Sequence, residues 1–548
     1  MPDPTHQVTN QPPPLVGWNL FDADPVLPEA LAREGGGWAG EQVRAVGAQA
    51  GSEEAAGLAV QADANPPVLR SHDRYGHRID EVEFHPAWHQ LLGSAVSHGV
   101  HAGSWRWSRP GAHVARAAMF YVWQQVEAGH GCPVSMTHAA VPALRAGAPA
   151  LAAVWEPKLT STAYDPGLRP LAAKAGALCG MAMTERQGGS DVRANSTRAE
   201  PLRGGDGEYL LTGHKWFCSA PMSDAFLVLA QAPGGLSCLL VPRLLPDGGR
   251  NRLHLQRLKD KLGNRSNASA EIELDGAVGL LVGEEGRGVQ AIIEMVNHTR
   301  LDCVLGSAGL LRQAVAQAAH HAAHRAAFGR LLAEQPLMRN VLADLAVEAE
   351  AAALLAMRLA GAFDRAATDP AEALVRRLGT AIAKYWVCKR GPALAAEALE
   401  CLGGNGYVEE SGMPRLYREA PLNSIWEGAG NVNCLDALRA MQRQPESVAA
   451  LLDEVRAARG GDARLDEAAA RLERELADQR DLELRARRVV ERFALCLEGA
   501  LLVRHGHPAV ADAFCASRLA GDWGWALGTL PPGLALDAIV ERASPKVG

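Results

Sequence analysis

The 548-residue chain has no run of about 18 apolar residues, the length a helix needs to cross a bilayer, so a membrane-spanning helix is excluded. Its first residues, MPDPTHQVTNQPPPLVGWNL, lack the basic start and apolar core of a secretory signal. The ten cysteines are scattered singly without a C-x-x-C pair, which in a long chain points to free thiols in a reducing cytosol. The N-x-S/T triplets at Asn195 and Asn264 then carry no weight as glycosylation sites. An excess of positive charge is also missing. With 55 Lys and Arg against 62 Asp and Glu the net charge is -7, so any nucleic-acid contact has to use a local patch. What is present is the composition of an ordinary globular protein, in a chain long enough for roughly three or four domains.

Taken in order, residues 1 to 30 are rich in Pro, Asp and Asn, which suits an extended arm lying on another surface. From Leu31 to Ala175 the pattern is mostly helical with frequent breaks, and Trp88, Trp105 and Trp107 are expected to pack a core or an interface. Gly35, Gly37 and Gly40 formally match G-x-G-x-x-G, but the preceding EALARE is helical where a dinucleotide fold needs a strand. At Cys179 the period changes. Runs at 209–219, 225–231, 237–242, 253–258 and 269–274 alternate or are rich in β-branched and aromatic residues, and suggest a small β-barrel or sandwich. Long Ala- and Leu-rich helical periods follow at 289–327, 336–367 and 371–402, the last stopped by Gly403 and Gly404, with a fourth starting near Val432. They read as an antiparallel bundle. Residues 445–548 hold arginine-rich helices in which acids slightly outnumber bases, which alone describes a solvated face laced with ion pairs. The domains are therefore placed at 1–178 (arm and helical domain), 179–287 (β-domain), 288–444 (bundle) and 445–548 (C-terminal helical domain).

One stretch, PRLYREAPLNSIWEGAGNVNC from Pro414 to Cys434, carries a lone carboxylate, Glu427, between Ile425-Trp426 and a Gly-Ala-Gly-Asn turn. Two readings stand side by side: a partly desolvated base, with Gly428 and Gly430 letting a flat or phosphorylated group approach, or a helix-start turn with a capping acid. His320, His321 and His324 sit at helical spacing without a carboxylate or third ligand, so they read as polar positions on the bundle surface and no metal is expected.

Five ordered motifs resemble those of the acyl-CoA dehydrogenase family: Met181 to Val192 (MAMTERQGGSDV), Lys215 to Ser219 (KWFCS), Arg325 to Gly329 (RAAFG), Leu402 to Tyr407 (LGGNGY) and Ser424 to Gly428 (SIWEG). The resemblance implies a mainly α fold with a central β-domain: N-terminal helical domain, β-barrel, four-helix bundle and here a C-terminal helical extension. It also implies FAD. By resemblance Met183, Thr184, Gly189 and Ser190 line the flavin and reach its polar edge and phosphates, and Phe217 and Ser219 face the ring. Arg325, Phe328, Gly403 and Gly404 hold the adenine half, in part from a neighbouring subunit of a homotetramer. Ile425, Trp426, Gly428 and Asn431 complete the cofactor surface, and Glu427 matches the family's catalytic base. Its task is to take a proton α to a thioester carbonyl while the β-hydrogen leaves as hydride to the flavin. The other base position known in the family carries Thr299 before Arg300 here.

The sequence departs from the family at Ala429, Glu400 and Gln335-Pro336, changes that alter flavin contacts and redox poise. The signature MTERQGGSDV, the tract Asp260 to Ser269 (DKLGNRSNAS), the run Pro414 to Glu419 and the long C-terminus resemble the AidB-type branch, linked to the adaptive response to DNA alkylation. That branch implies weak dehydrogenation of short or branched acyl-CoA, protection against alkylation damage, and double-stranded DNA contact through 445–548, with Arg485, Arg487, Arg488 and Arg492 as candidates. The alternatives are a catabolic acyl-CoA dehydrogenase without DNA binding, and an oligomer that keeps FAD as a scaffold. A cytoplasmic location is expected for each.

Overall fold

The computed structural model describes residues 4–202, 204 and 207–546. Contacts gather them into two compact units, one from Gly57–Ala112 and Glu127–Asp302, the other from the residues up to Ala56, His113–Val126 and the chain from Cys303 onward.

The first unit combines helices, among them Pro86–Ser97, Gly131–Gly147 and Pro149–Leu159, with the β-strands. Strands β1 (Val68–His72) and β2 (Arg78–Glu83) form an antiparallel hairpin inside a stretch whose pattern reads as helical. The turn explains the difference. Asp73 accepts from the amides of Tyr75 and His77 at 2.8 and 2.9 Å, and Gly76, at φ +86°, lets the chain reverse. Trp88 is buried as expected, stacked on Phe84 with ring centroids 3.8 Å apart.

The larger sheet contains β3 (Cys179–Ala182), β4 (Arg198–Pro201), β5 (Glu208–Ser219), β6 (Ala225–Ala232), β7 (Gly235–Pro242), β8 (Leu253–Leu258) and β9 (Ser269–Val282). Strands β4, β5, β9, β7 and β6 pair in that order and β6 meets β4 again, so the sheet closes. Closure removes open edges, and the domain is a barrel and not a sandwich. β3 adds in parallel to β6, and β8 adds antiparallel to β9. The AFLVLA start of β6 is buried throughout, which is why it lacks polar alternation.

In the second unit the helices Pro336–Arg365, Pro370–Cys401 and Gly430–Arg443, with the later part of Gly288–His324, form the bundle close to their expected bounds. Asp369 caps Pro370–Cys401 by accepting from the amide of Ala371 at 2.9 Å, and Pro370 at the first position needs no amide partner. The helices Glu446–Arg456, Ala463–Ala477 and Ala486–His505 belong to the same unit. All ten cysteines are buried thiols.

A buried polar network ties the C-terminal residues to the bundle. Arg518, on the π-helical turn Cys515–Leu519, reaches Asp344 at 2.5 Å and Glu348 at 2.8 Å, and Arg390 reaches Glu348 at 3.0 Å. Trp523 lies against both guanidinium groups, 4.2 Å from Arg518 and 5.5 Å from Arg390, and donates its indole N–H to Asp344 at 3.0 Å. Burial opposes the charge on Glu348, but Arg390 and Arg518 outweigh it and hold its pKa at about 2, against 4.5 normally. Glu348 therefore contributes stability that is complete above about pH 4.5 and drains away as pH falls toward about 2. Replacing Arg518 with Met strips a cation from each of two buried carboxylates, leaving Glu348 with Arg390, and is expected to cost about 3–5 kcal/mol. Thermal unfolding at neutral pH measures this; an unchanged midpoint contradicts it.

Candidate functional site

The residues singled out in sequence fall into two groups, one on each unit. On the first unit Met183, Thr184, Gly189 and Ser190 lie on a tight reversal after β3, bridged between Glu185 and Gly188. The carbonyl of Met183 accepts from Asn195 Nδ2 at 2.9 Å, and that of Thr184 accepts from the amide of Trp216 at 2.8 Å, which joins the reversal to β5. A β-carbon at Gly189 would collide with the Thr184 side chain, so glycine is required there. Gly189 and Ser190 are exposed.

What holds this reversal is a pair that the sequence reading did not single out. Lys215, fully buried, donates to Glu185 Oε1 and to the carbonyl of Leu229, both at 2.7 Å. Glu185 also accepts from the amides of Ser196 and Thr197 at 2.7 and 3.1 Å. Burial works against the carboxylate, but these donors outweigh it and keep its pKa well below the usual range.

β5 then makes a bulge. Lys215 pairs with Ile272 but Cys218 with Ala270, leaving one extra residue at Trp216-Phe217. The bulge turns Phe217 outward to 49% exposure, while Ser219 lies 3.3 Å from Ser269 Oγ. The tract Asp260 to Ser269 is anchored by Ser266, which donates to the buried Glu127 at 2.7 Å.

On the second unit the candidates make two clusters. Arg325 opens the small hairpin β10 (Ala326–Ala327) and β11 (Arg330–Leu331), whose turn residues Phe328 and Gly329 are both left-handed, φ +53° and +78°. This is the primed turn that hairpins favour, with a strained phenylalanine in a position suited to asparagine. Phe328 is fully exposed. The N-terminal arm crosses here: Arg325 donates to the carbonyl of Asn10, Asn10 exchanges hydrogen bonds with Ala326 at 2.7 and 2.8 Å, and Gln11 accepts from Asn405 at 2.9 Å. The arm thus joins the Arg325 hairpin to the Gly403-Gly404 turn, where both glycines are exposed and face open space. Gln335, displaced from its family position, braces the hairpin by donating to Ala327 O at 3.0 Å. His320 and His321 are buried, contrary to the surface placement expected of them; the arm lies against His320, which donates to Pro13 O at 2.8 Å.

The other cluster surrounds Glu427. Glu427 is half-buried at φ +57°, and Gly428 follows at φ +99°, where a β-carbon would press on Val432. Lys384, only 1% exposed in the middle of Pro370–Cys401, donates to the carbonyls of Trp426 at 2.7 Å and Gly428 at 2.6 Å, on either side of Glu427. Asn433 donates to Gly428 O as well, and Trp426 donates its indole N–H to Asn423 at 2.9 Å. Left-handed backbone at a non-glycine residue costs about 1–3 kcal/mol. Two hydrogen bonds from an ammonium, about 1.5–3 kcal/mol each, are enough to offset it. Ile425 stands outward at 61% exposure. Asn431 is exposed, and its Oδ1 accepts from Arg487 Nε at 2.8 Å. Ala429, at the start of Gly430–Arg443, gives that helix no side-chain cap.

The four arginines considered for DNA contact are all engaged with the chain: Arg487 with Asn431, Arg488 at 3.0 Å and Arg492 with Glu475, and Arg485 with the carbonyls of Asp478 and Arg480.

A mainly helical start with one short hairpin, a closed barrel with a flanking Thr-Glu reversal, and a bundle whose Gly430–Arg443 helix follows a strained Glu-Gly turn together define an acyl-CoA dehydrogenase fold. Comparison with known proteins agrees. Residues 10–166 match the adaptive response protein AidB N-terminal domain, 180–277 the acyl-CoA dehydrogenase middle domain and 286–442 the acyl-CoA dehydrogenase C-terminal domain. The chain is 49% identical to AidB of Escherichia coli (strain K12) over 512 residues, 93% of this chain and 94% of that protein. Among solved structures, Caenorhabditis elegans ACDH-11 in complex with C11-CoA superposes with a TM-score of 0.85 at 27% identity, over 96% of this chain and 95% of that one. The apo form of Bd2924 gives 0.83 at 29% identity, over 90% and 99%. The chain belongs to the acyl-CoA dehydrogenase family, in its AidB-like group.

Proteins of this family are FAD-binding flavoproteins, and FAD is the cofactor that goes with this fold. The chain has side chains that fit it: Phe217 on one unit, and Phe328, Tyr407 and Ile425 on the other, are large apolar groups left exposed, and Gly329, Gly403 and Gly404, close in the chain to Phe328 and Tyr407, face open space. Exposed aromatic and aliphatic groups of this kind suit a flat, largely apolar ligand.

Replacing Lys384 with Met leaves two carbonyls without their donor and frees the Glu427 turn. Amide exchange over residues 425–433 is expected to quicken about tenfold or more; unchanged exchange shows that the turn holds without Lys384.

Proposed function

We propose that this chain is a FAD-dependent acyl-CoA dehydrogenase in which Glu427 takes the proton α to the thioester carbonyl. The observation that carries this reading is the Glu427 turn itself: a carboxylate on strained backbone, fixed by a buried lysine on both flanking carbonyls, beside an exposed apolar residue. Strain of this sort persists where the surroundings impose it, and such places cluster at working sites. Bound FAD supplies the acceptor for the β-hydrogen, which leaves as hydride. In this reading Met183, Thr184, Gly189, Ser190, Phe217, Ser219, Ile425, Trp426, Gly428 and Asn431 are flavin contacts, and Arg325, Phe328, Gly403 and Gly404 receive the adenine half. The working form is a cytoplasmic homotetramer acting on short or branched acyl-CoA. ACDH-11 in complex with C11-CoA, a relative of the same fold bound to an acyl thioester, supports the substrate class.

A second reading adds DNA contact by residues 445–548 and protection against alkylation damage. Its support is the 49% identity to AidB and the match to a domain named for the adaptive response. Arg487 also holds Asn431 beside the Glu427 turn, so the DNA test uses Arg485, Arg488 and Arg492, whose own bonds stay within residues 445–548.

Two measurements separate the readings. Anaerobic addition of a branched short-chain acyl-CoA is expected to bleach the flavin, and Glu427→Gln to slow this by about 10²–10⁴-fold with FAD retained; bleaching at the wild-type rate in the variant removes Glu427 as the base. Double-stranded DNA affinity is expected to fall steeply with salt, and replacing Arg485, Arg488 and Arg492 with Gln to flatten the slope by about 2–3. An unchanged slope leaves the dehydrogenase reading alone.

A further inference from the structure

The barrel-bearing unit contains a cavity lined by none of the candidate cofactor or catalytic residues. It has a volume of about 120 Å³ and is lined by Arg78, Asp80, Arg243, Arg250, Asn251, Arg252, Leu253 and His254. Two segments meet there, β2 and the 243–252 connection between β7 and β8. Asn251 shapes the connection by donating to Pro242 O at 2.7 Å and Val278 O at 2.8 Å. Asp80 sits on strained backbone at φ +45°.

Charge is unevenly answered. Arg78 meets Asp80 at 2.8 Å, Arg250 meets Glu81 at 3.0 Å, and Arg252 pairs with Asp275. Arg243, the most buried of the four at 7% exposure, has no carboxylate in contact among the described residues: its NH1 donates to Met222 Sδ at 3.3 Å and its NH2 to Asp80 O at 3.2 Å, while Glu81, Asp224 and Asp80 attract it only through space. Burial pulls its pKa below the ordinary arginine value. A guanidinium taken out of water without a carboxylate in contact is costly, and its fork of donors matches a tetrahedral oxyanion.

We propose that this cavity is a binding site for a phosphoryl group, free or carried on a small molecule, with Arg243 at its floor and Arg250 and Arg252 at its rim. The volume admits one such group and not a nucleotide. Asp80 in the lining pairs with Arg78, and Glu81 and Asp275 pair with Arg250 and Arg252, so the rim is close to neutral and selectivity comes from Arg243.

The test is titration of the FAD-loaded protein with inorganic phosphate in chloride-poor buffer, followed by calorimetry. Saturable binding with a Kd on the order of 1 mM or tighter is expected. Arg243→Gln should weaken it about tenfold or more while the flavin spectrum is kept. If that buried variant does not fold, Arg250→Gln with Arg252→Gln, both at exposed side chains, serves instead with the same expectation. No saturable heat in the wild type, or wild-type affinity in the folded variant, overturns the site. Repeating the titration with glycerol phosphate separates the sources: tighter binding than inorganic phosphate marks an ester as the ligand, weaker binding marks the free ion.

Discussion

The candidate site depends on one buried cation. Lys384 lies in the middle of an apolar helix, where an ammonium survives only if its donors are used. Two of them hold the carbonyls of Trp426 and Gly428, and the residue between those carbonyls is Glu427. The clamp does for the turn what a sheet ladder does for a strand: it fixes backbone that has no regular partner. Gly428 has to be glycine because its φ is left-handed and Val432 stands where a side chain would go. The Glu-Gly dipeptide and the distant lysine form one unit of structure, although 43 positions separate Lys384 and Glu427.

The same device recurs with different partners. Phe328 and Gly329 are a second strained residue and glycine, held by a two-strand hairpin and by the arm at Asn10. On the barrel the Thr184-Glu185 reversal is held by Lys215. In each case a buried or reciprocal hydrogen bond, not apolar packing, sets the backbone, and an apolar side chain is left facing outward. The C-terminal helices take part too, through Arg487 on Asn431, and so their removal alters the turn as well as the surface.

Much of this was legible in sequence. Strand runs at 225–231 and 253–258 and the bundle helices lie within a few residues of their expected ends, because long periodic segments and Gly or Pro stops are local signals. The five motifs fall on the reversal after β3, the bulge of β5, the hairpin at 325–331, the Gly403-Gly404 turn and the Glu427 turn. The β1–β2 hairpin was missed because it is short, charged and surrounded by helices, with only Asp73 and Gly76 to announce it. The bulge at Trp216-Phe217 was missed because a bulge is defined by the partner strand. The roles of Lys384 and Lys215 come from carbonyls and a carboxylate far along the chain, which no local pattern announces. His320 was misplaced for the same reason: the arm residue it meets, Pro13, lies some 300 residues earlier.

The most direct test of the clamp is exchange at the substrate itself. The FAD-loaded protein is incubated anaerobically with an acyl-CoA in deuterium oxide, and deuterium entering the carbon α to the thioester is followed by NMR. The wild type should wash deuterium in, and Lys384→Met should do so at least about tenfold more slowly with FAD and substrate still bound. Exchange at the wild-type rate without the lysine would contradict the view that this buried cation presents Glu427 to its substrate.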